Sequence, residues 1–218
     1  MILQTVSGME QEIVHEGLRI AELDGVYRPA EDSFLISSLI IEYLSGMKGG
    51  KKLDVLDMGT GTGILGLSAC TTGKVGSVVF ADANNAAVEL TAENVKANMG
   101  ILRDVRCSFA SGDLFSGVNG KFDLIIFNPP YLRSEGKAET EDTRWWNGGP
   151  EGIETSIRFL NEAVGRLKPG GSVVLVYSSL ANAKKLESEI KRMGYTLSAT
   201  KKVHMFFEDI IAVVLSHA

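Results

Sequence analysis

Short apolar runs and amphipathic segments alternate from residue 53 onward, and this pattern predicts a parallel β-sheet with helices on both faces. The predicted strands are LDVLDMG (53–59), SVVFAD (77–82), VRCSFAS (105–111), FDLIIFN (122–128) and SVVLVYS (172–178). The segments predicted to be helical between them are GILGLSACT, AAVELTAENVKANM and EGIETSIRFLNEAVGRLKPGG. The fold class predicted from this order is α/β.

The helical segment before the last of these strands carries a single apolar stripe, because its apolar residues recur at steps of four and three. The stripe consists of Ile153, Ile157, Leu160, Val164 and Leu167. It stops at Lys168-Pro169-Gly170-Gly171, and this proline and glycine break predicts that the helix ends there and turns into the next strand.

The two ends of the chain complete the predicted architecture. YTLSATKKV (195–203) and EDIIAVVLS (208–216) are two strands joined by a short link, which predicts an antiparallel pair. Upstream, residues 31–46 are predicted to form a largely buried helix, and a small hairpin is expected around Glu16-Gly17. We expect one domain over residues 1–218, with a hairpin and helix segment at 1–46 and the core at 47–218.

Composition limits the classes of protein that this chain can be. With 218 residues and 44% hydrophobic content it can bury one sizeable core, and its apolar runs are too short to cross a bilayer. The first residues lack the order of a signal peptide, so we expect a cytoplasmic protein. A net charge of −5 and a pI near 5.3 argue against a broad nucleic-acid surface. Cys70, Cys107 and the three histidines show no metal or disulfide spacing.

A glycine-rich loop follows the first predicted strand, from Asp57 to Gly63. Glycines such as Gly61 let backbone approach a ligand, and the next helix offers free N–H groups at its N-terminus. The stretch GTGILG (61–66) fits the dinucleotide pattern GxGxxG, and Asp82 stands where a ribose-binding carboxylate belongs. Strand, loop, helix and carboxylate occur in register, which favours a nucleotide-type cofactor over a ligand-free glycine turn.

Two carboxylates favour S-adenosylmethionine over a nicotinamide dinucleotide. Asp57, directly before the glycines, could meet the ammonium of a methionine moiety but would repel a pyrophosphate. Asp113 follows the third strand and could accept a hydrogen bond from an adenine amine, with Leu114 flanking the ring. Alternatively, Asp113 caps a turn.

The fourth predicted strand ends in Asn128-Pro129-Pro130-Tyr131, at the edge of the sheet where a cofactor would bind. The Asn128 side-chain oxygen and the Pro129 carbonyl could each accept one N–H of a substrate –NH2, so that the nitrogen lone pair points at the methyl group. Two acceptors would also stabilise the positive charge that grows on this nitrogen. We expect Tyr131 to stack on the planar group being methylated. The alternative is a proline-terminated strand with Asn128 capping a turn.

Together these motifs resemble the class I S-adenosylmethionine-dependent methyltransferases that carry NPPY, and within them the HemK-like protein glutamine methyltransferases of the archaeal and eukaryotic branch. The resemblance is carried by YRPAEDSFLI (27–36), LDMGTGTG (56–63), ADANNAAVELTAENVKAN (81–98), SGDLF (111–115), FNPPY (127–131) and WWNGGPEG (145–152). It implies a Rossmann-like fold with a mostly parallel seven-stranded sheet, in which residues 1–46 cover the cofactor site.

The resemblance also implies an activity and a set of site residues. The activity is methylation of the glutamine amide in the Gly-Gly-Gln loop of a class I translation release factor, and the NPPY residues hold that glutamine. The residues matching those that surround the cofactor in the family are Tyr27, Ser33, Asp57, Gly59, Asp82, Asp113, Leu114 and Asn128. Family members often carry an acidic residue where Arg28 stands, which leaves the role of Arg28 open.

Three other hypotheses compete with a protein glutamine methyltransferase. NPPY also grips the amino groups of adenine and guanine, so a nucleic-acid amino-methyltransferase is the main alternative, although the acidic pI counts against it. A non-catalytic cofactor-binding protein and a nicotinamide oxidoreductase are the others. The long polar segment at 131–149 is predicted to face the substrate, although Trp145 and Trp146 could instead pack on the following helix.

The strand at 105–111 is expected at one edge of the sheet, where its N–H and C=O groups would be free to pair with another chain. It carries a single charge, Arg106, and no proline. The mean hydropathy of +0.09 is high for a soluble monomer. Members of the resembled family are bound at this edge by a small zinc-binding activator subunit, so the resemblance implies a heterodimer. The alternative is an edge shielded by the protein's own loops.

Overall fold

The computed structural model describes residues 12–134 and 147–217. The strands are β1 (Glu12–His15), β2 (Leu18–Ala21), β3 (Leu53–Met58), β4 (Val75–Asp82), β5 (Arg106–Ser111), β6 (Phe122–Phe127), β7 (Leu167–Ser178), β8 (Tyr195–Met205) and β9 (Glu208–His217). The helices are α1 (Glu31–Gly46), α2 (Ile64–Thr71), α3 (Asn85–Ala97), α4 (Glu154–Val164) and α5 (Ala183–Arg192). A short 3-10 turn spans Leu114–Gly117.

The main sheet has seven strands in the order β5-β4-β3-β6-β7-β9-β8. Strands β3 to β7 run parallel to one another, and β9 pairs antiparallel with both β7 and β8. The α/β fold, the C-terminal antiparallel pair and the edge position of β5 are therefore confirmed. The division of the chain into residues 1–46 and 47–218 stays a prediction.

Both faces of the sheet are covered because successive residues of its central strands enter different cores. On β6, Leu124 and Ile126 join a cluster with residues of α1 and α2, whereas Ile125 and Phe127 join a second cluster with residues of α4 and α5. These four side chains are at most 4% exposed. The continuous apolar run of β6 thus reflects burial on two sides, and it fixes the point at which Asn128 leaves the sheet.

The predicted N-terminal hairpin is confirmed, with a tight turn at Glu16 (φ 50°) and Gly17 (φ 78°). Its backbone is attached to α3: Arg19 N donates to Asn98 Oδ1 at 2.9 Å, and Ala21 N donates to Asn94 Oδ1 at 2.8 Å. These amide contacts hold the N-terminal hairpin against the core.

The boundary between α4 and β7 differs from the prediction. The helix ends at Val164, before Leu167, and β7 already includes the segment Lys168–Gly171. Leu167 pairs with Phe122, and the register then shifts, because the next pair is Leu124 with Ser172. A proline without an N–H and Gly170 at φ 73° interrupt the strand pairing after its first pair, so the break lies inside the strand and not at the helix end.

No helix among the described residues is long and apolar enough to cross a membrane. Trp145 and Trp146, with most of the segment predicted to face the substrate, lie outside the described residues.

Candidate active site

A cavity of about 340 Å³ opens at the carboxyl ends of β3, β4, β5 and β6. Its volume lies in the range of small-molecule and cofactor sites. Most of the predicted site residues line it: Tyr27, Gly59, Gly61, Asp82, Asp113, Leu114, Asn128, Pro129, Pro130 and Tyr131. Residues from five separate stretches of sequence thus meet at one place, as the parallel topology requires.

The glycine loop brings backbone to the cavity wall in a conformation that side chains disfavour. Gly59 and Gly61 have φ of 60° and 55°. A Cβ on Gly59 would lie 2.9 Å from the Phe127 ring, so this glycine is required by both its backbone angle and its contact with the end of β6. The loop can therefore approach a bound ligand with main-chain atoms only.

Asp82 lies at the end of β4 and is fixed by the loops on either side of it. Its Oδ2 accepts from Gly61 N at 3.0 Å, and its Oδ1 accepts from Asn84 N at 2.9 Å. Burial raises the pKa of this carboxyl above its ordinary value. Each oxygen keeps a second lone pair, so the carboxylate is placed to accept hydrogen bonds from the two hydroxyls of a ribose.

Two predicted cofactor residues do not line the cavity. Asp57 is fully buried, and its Oδ2 accepts from Thr60 Oγ1 at 2.8 Å and from Gly66 N at 2.9 Å. Its Oδ1 is buried without a partner among the described residues, and burial raises its pKa to about 7. Ser33 is 2% exposed and donates to Asp32. Asp57 holds the glycine loop onto α2 here, and its predicted contact with an ammonium stays a prediction.

Asp32 was not predicted, yet it joins the N-terminal segment to the NPPY turn. Asp32 is 4% exposed and lies in the first turn of α1. Oδ1 accepts from the Tyr27 hydroxyl at 2.7 Å, and Oδ2 accepts from Asn128 Nδ2 at 2.9 Å and from the Tyr131 hydroxyl at 3.0 Å. One carboxylate therefore positions three residues of the cavity wall.

The contact with Asp32 fixes which way the Asn128 amide faces. Only the –NH2 group can donate to a carboxylate, so Nδ2 must face Asp32 and Oδ1 must face away from it. Asn128 Oδ1 is buried and accepts no hydrogen bond from the described residues. A buried acceptor without a partner is rare in native proteins. Asn128 itself lines the cavity.

The two phenols beside Asp32 are donors and not bases. Burial, followed by the Asp32 charge, raises the pKa of both Tyr27 and Tyr131 well above its ordinary value. Tyr131 is only 7% exposed, and its ring belongs to the core cluster with α1 and α2. Its ring still lines the cavity, and stacking of this ring on a substrate stays a prediction.

A second residue that the sequence did not single out is Arg158, on α4. Its guanidinium forms an ion pair with Asp113, and both side chains are more than half exposed at the cavity mouth. Asp113 therefore has an oxygen engaged in the structure, and its predicted bond to adenine uses the remaining acceptor capacity. Neither oxygen caps the 3-10 turn that follows it. Arg28, whose role the sequence left open, pairs with Asp24 at 2.9 Å.

The glycines of the WWNGGPEG segment back the NPPY turn. A Cβ on Gly148 would lie 2.7 Å from the Pro130 carbonyl oxygen, and one on Gly152 would lie 2.6 Å from the Tyr131 carbonyl oxygen. The strand-like contact of Leu132 with Asn147 joins the two segments directly. These close approaches explain why NPPY and the glycine segment occur together in one sequence.

Comparison with known proteins agrees with this site. Residues 18–206 match the methyltransferase small domain family, so the chain is a methyltransferase-domain protein. It is 34% identical over 200 residues to a candidate protein N5-glutamine methyltransferase of Methanocaldococcus jannaschii, covering 91% of this chain and 95% of that protein. It is 28% identical over 200 residues to the release factor glutamine methyltransferase of Deinococcus radiodurans, covering 88% and 67%. The chain belongs to the HemK-like protein glutamine methyltransferases.

A solved structure shows the same fold. The E. cuniculi Mtq2–Trm112 complex, responsible for the methylation of the eRF1 translation termination factor, matches with a TM-score of 0.64 at 21% identity. The match covers 89% of this chain and 99% of that one. It confirms the class I methyltransferase architecture.

Proposed function

We propose that this chain binds S-adenosylmethionine and transfers its methyl group to the side-chain amide nitrogen of a glutamine in a class I translation release factor. The observation that carries the proposal is the buried, unpaired Oδ1 of Asn128 in the cavity wall. The family membership and the relatives that act on release factors support the choice of substrate.

The residues present fit S-adenosylmethionine. Asp82 offers two oxygens to ribose hydroxyls, the φ-positive glycines leave room for a close ligand, and Leu114 offers an apolar flank for a base. The cation that lines the cavity among the described residues, Arg158, is paired with Asp113. When bound, this cofactor supplies an electrophilic methyl group on a sulfonium.

The chain's own contribution is to hold and orient the nucleophile. A glutamine amide is a poor nucleophile because its nitrogen lone pair is delocalised into the carbonyl. Asn128 Oδ1 would accept one N–H of that amide and the Pro129 carbonyl the other, which holds the lone pair toward the methyl group. The same acceptors stabilise the charge that develops on nitrogen, and the proton leaves to water after transfer. The protonated phenols of Tyr27 and Tyr131 are not the base.

The test of the proposed function is a transfer assay with isotope-labelled S-adenosylmethionine. One arm contains an intact class I release factor, a second the same factor with its Gly-Gly-Gln glutamine replaced by glutamate, and a third bulk RNA. We expect label in the first arm alone. Label in the RNA arm alone would overturn the proposal in favour of a nucleic-acid amino-methyltransferase, and equal label in the first two arms would place the modified residue elsewhere.

We further propose that the edge of β5 binds a small zinc-binding activator subunit. β5 pairs with β4 on one side, and its other edge has no partner strand among the described residues. Apolar side chains lie exposed beside it: Phe109 on the strand is 40% exposed, and Met99 and Ile101 in the segment leading into it are 55% and 38% exposed. The Mtq2–Trm112 complex, which has a similar fold, supports this assembly.

A further inference from the structure

Two aromatic side chains form the tip of the C-terminal hairpin. Phe206 and Phe207 join β8 to β9 and are 90% and 91% exposed, the highest fractions among the exposed large apolar residues of the described chain. Burying a phenylalanine side chain stabilises a protein, and this tip forgoes that stabilisation twice. An exposed aromatic pair of this kind is typical of a binding surface.

The tip also departs from the residues that its turn favours. Phe206, the first of the two linking residues, has φ of 41°. Two-residue hairpin turns with a positive φ at this position favour glycine or asparagine, and a bulky side chain there is strained. In the N-terminal hairpin the first linking residue, Glu16, also has a positive φ of 50°, but glycine follows it at Gly17, whereas Phe207 follows Phe206. Local sequence preference thus gives no reason for an aromatic pair at this tip.

The base of the hairpin is held rigidly. Ser179 N donates to the Asp209 carbonyl at 2.9 Å, and Asp209 N donates to Ser179 Oγ at 2.8 Å. The Asp209 carboxylate also bonds Lys202 and His204 on β8, each at 2.8 Å. The tip is therefore presented on a fixed support, which lowers the entropy cost of binding through it.

The tip projects from the end of the sheet at which the cavity opens. Ile210 pairs with Ser178, the last residue of β7, so Phe207 extends about 10 Å beyond the carboxyl end of that strand. Only β7 separates β9 from β6, the strand that ends at Asn128. The lateral offset is about 10 Å, two strand spacings. Phe127 is level with Leu175 of β7, so Phe207 also lies about 20 Å farther along the strand direction than the end of β6. A folded protein is large enough to contact the tip while one of its glutamines is at Asn128.

The electrostatic effect of Glu208 on Tyr131 agrees with this placement. The Glu208 carboxylate, next to Phe207, lies close enough to the Tyr131 hydroxyl to add to the rise in its pKa, after burial and Asp32. Leu180, next to Ser179, is 51% exposed. These three exposed apolar residues, Leu180, Phe206 and Phe207, lie at the end of the sheet where the cavity opens, and we call them the apolar rim.

We propose that the apolar rim docks the protein substrate, by inserting Phe206 and Phe207 into an apolar patch beside the loop that carries the glutamine. This inference rests on the proposed function and adds a specificity-determining surface to it. The activator is a poor occupant of the rim, because the β5 edge lies across the sheet, more than about 20 Å away. The residues that line the cavity do not include Leu180, Phe206 or Phe207, so a cofactor held in the cavity is also a poor occupant of the rim.

The test compares steady-state kinetics of the enzyme with intact release factor. The double variant Phe206→Gly/Phe207→Ser removes both rings while giving the turn a residue that accepts positive φ. Leu197→Ser is the matched control, because Leu197 is 61% exposed on the same hairpin but lies at the opposite end of the sheet. We expect the double variant to raise KM for the release factor by about tenfold or more. We expect kcat at saturating factor, and the Kd for S-adenosylmethionine, to stay within about twofold.

The outcomes separate this inference from the proposed function. If the wild-type enzyme methylates the release factor and KM is unchanged in the double variant, the docking role of the rim is overturned and the proposed function stands. A loss confined to kcat, or an equal rise in KM for Leu197→Ser, also overturns it. A dimer of the wild type that the double variant dissolves, with KM unchanged, would assign the tip to self-association instead. A wild type that transfers no methyl to the factor overturns both proposals.

Discussion

Nδ2 of Asn128 donates to Oδ2 of Asp32 across 2.9 Å, and this contact joins the first turn of α1 to the end of β6. The orientation of the Asn128 amide is therefore set by Asp32, which comes from another part of the chain. Because Asp32 also accepts from two tyrosines, the proposed acceptor for the substrate, Asn128 Oδ1, is oriented before any ligand arrives.

Asp32→Asn tests this positioning role. An amide offers one acceptor oxygen where the carboxylate offers two, so the Asn128 –NH2 group loses its partner or competes for it. We expect kcat to fall by about tenfold to a hundredfold while the Kd for S-adenosylmethionine changes by no more than a few-fold. Tyr131→Phe is the matched control, because it removes a different donor to Asp32 and leaves the Asn128 contact in place. An unchanged kcat in Asp32→Asn would show that Asn128 is oriented without it.

Asn128→Ala removes the acceptor itself. We expect methyl transfer to fall by about a hundredfold or more, which corresponds to roughly 3 kcal/mol of transition-state stabilisation. Binding of S-adenosylmethionine, measured by calorimetry, should stay within a few-fold of wild type because the amide contacts the nucleophile. Near-normal turnover in this variant would contradict the amide-holding mechanism.

Asp82→Ala should show the converse pattern. The change removes the carboxylate that we propose binds the ribose, so we expect the Kd for S-adenosylmethionine to rise by about tenfold or more, while kcat at saturating cofactor falls little. Titration calorimetry of the variant and the wild type measures the first quantity, and initial rates measure the second. An unaltered Kd would refute the assignment of the cavity to the cofactor.

Asp57 gives the wild type a distinctive dependence of stability on pH. Its pKa is about 7 in the folded protein and 3.8 ordinarily, so between these values the folded state holds a proton that the unfolded state has lost. The free energy of unfolding should therefore fall, relative to Asp57→Asn, by up to about 1.4 kcal/mol per pH unit as pH rises toward 7, and level off above it. Urea unfolding at pH 5, 6, 7 and 8 measures this difference. A constant difference across the series would mean that Asp57 is ionised throughout.

The β5 edge predicts how the chain behaves on purification. We expect the chain alone to aggregate or to be poorly active, and co-expression with the activator to give a stable one-to-one complex. Phe109→Lys should weaken that complex, because it places a charge beside the paired edge. Leu197→Lys adds the same charge at the far side of the sheet and should leave the complex intact. A monodisperse and fully active lone chain that gains nothing from the activator would eliminate the heterodimer.

The elements of the fold were predictable because their patterns are local. The alternating strands and helices, the Glu16-Gly17 hairpin and the edge position of β5 all follow from short stretches read with general topology rules. The break at Lys168–Gly171 was misplaced because an apolar stripe continues to Leu167 although the helix has ended. Periodicity alone does not distinguish the last turn of a helix from the first residue of a strand.

The site was predictable where residues follow a strand and unpredictable where they meet through tertiary contact. Asp82 and Asn128 were found because each ends a strand at the cavity edge. Asp32 stands within the YRPAEDS segment, but an acidic residue in a first helical turn is ordinary, and only the fold brings it to Asn128. The sequence did not single out Arg158, because an exposed arginine on an amphipathic helix is ordinary as well.

The two ends of the segment between NPPY and α4 are fastened to each other beside the cavity. Gly148 N donates to the Leu132 carbonyl at 2.8 Å, and Ser134 N donates to the Gly149 carbonyl at 2.9 Å. These two hydrogen bonds do not involve the residues between Ser134 and Asn147, so this wall of the cavity does not depend on the length or composition of that stretch. The stretch can therefore change in evolution to suit another substrate protein while the proposed methyl-transfer geometry is retained.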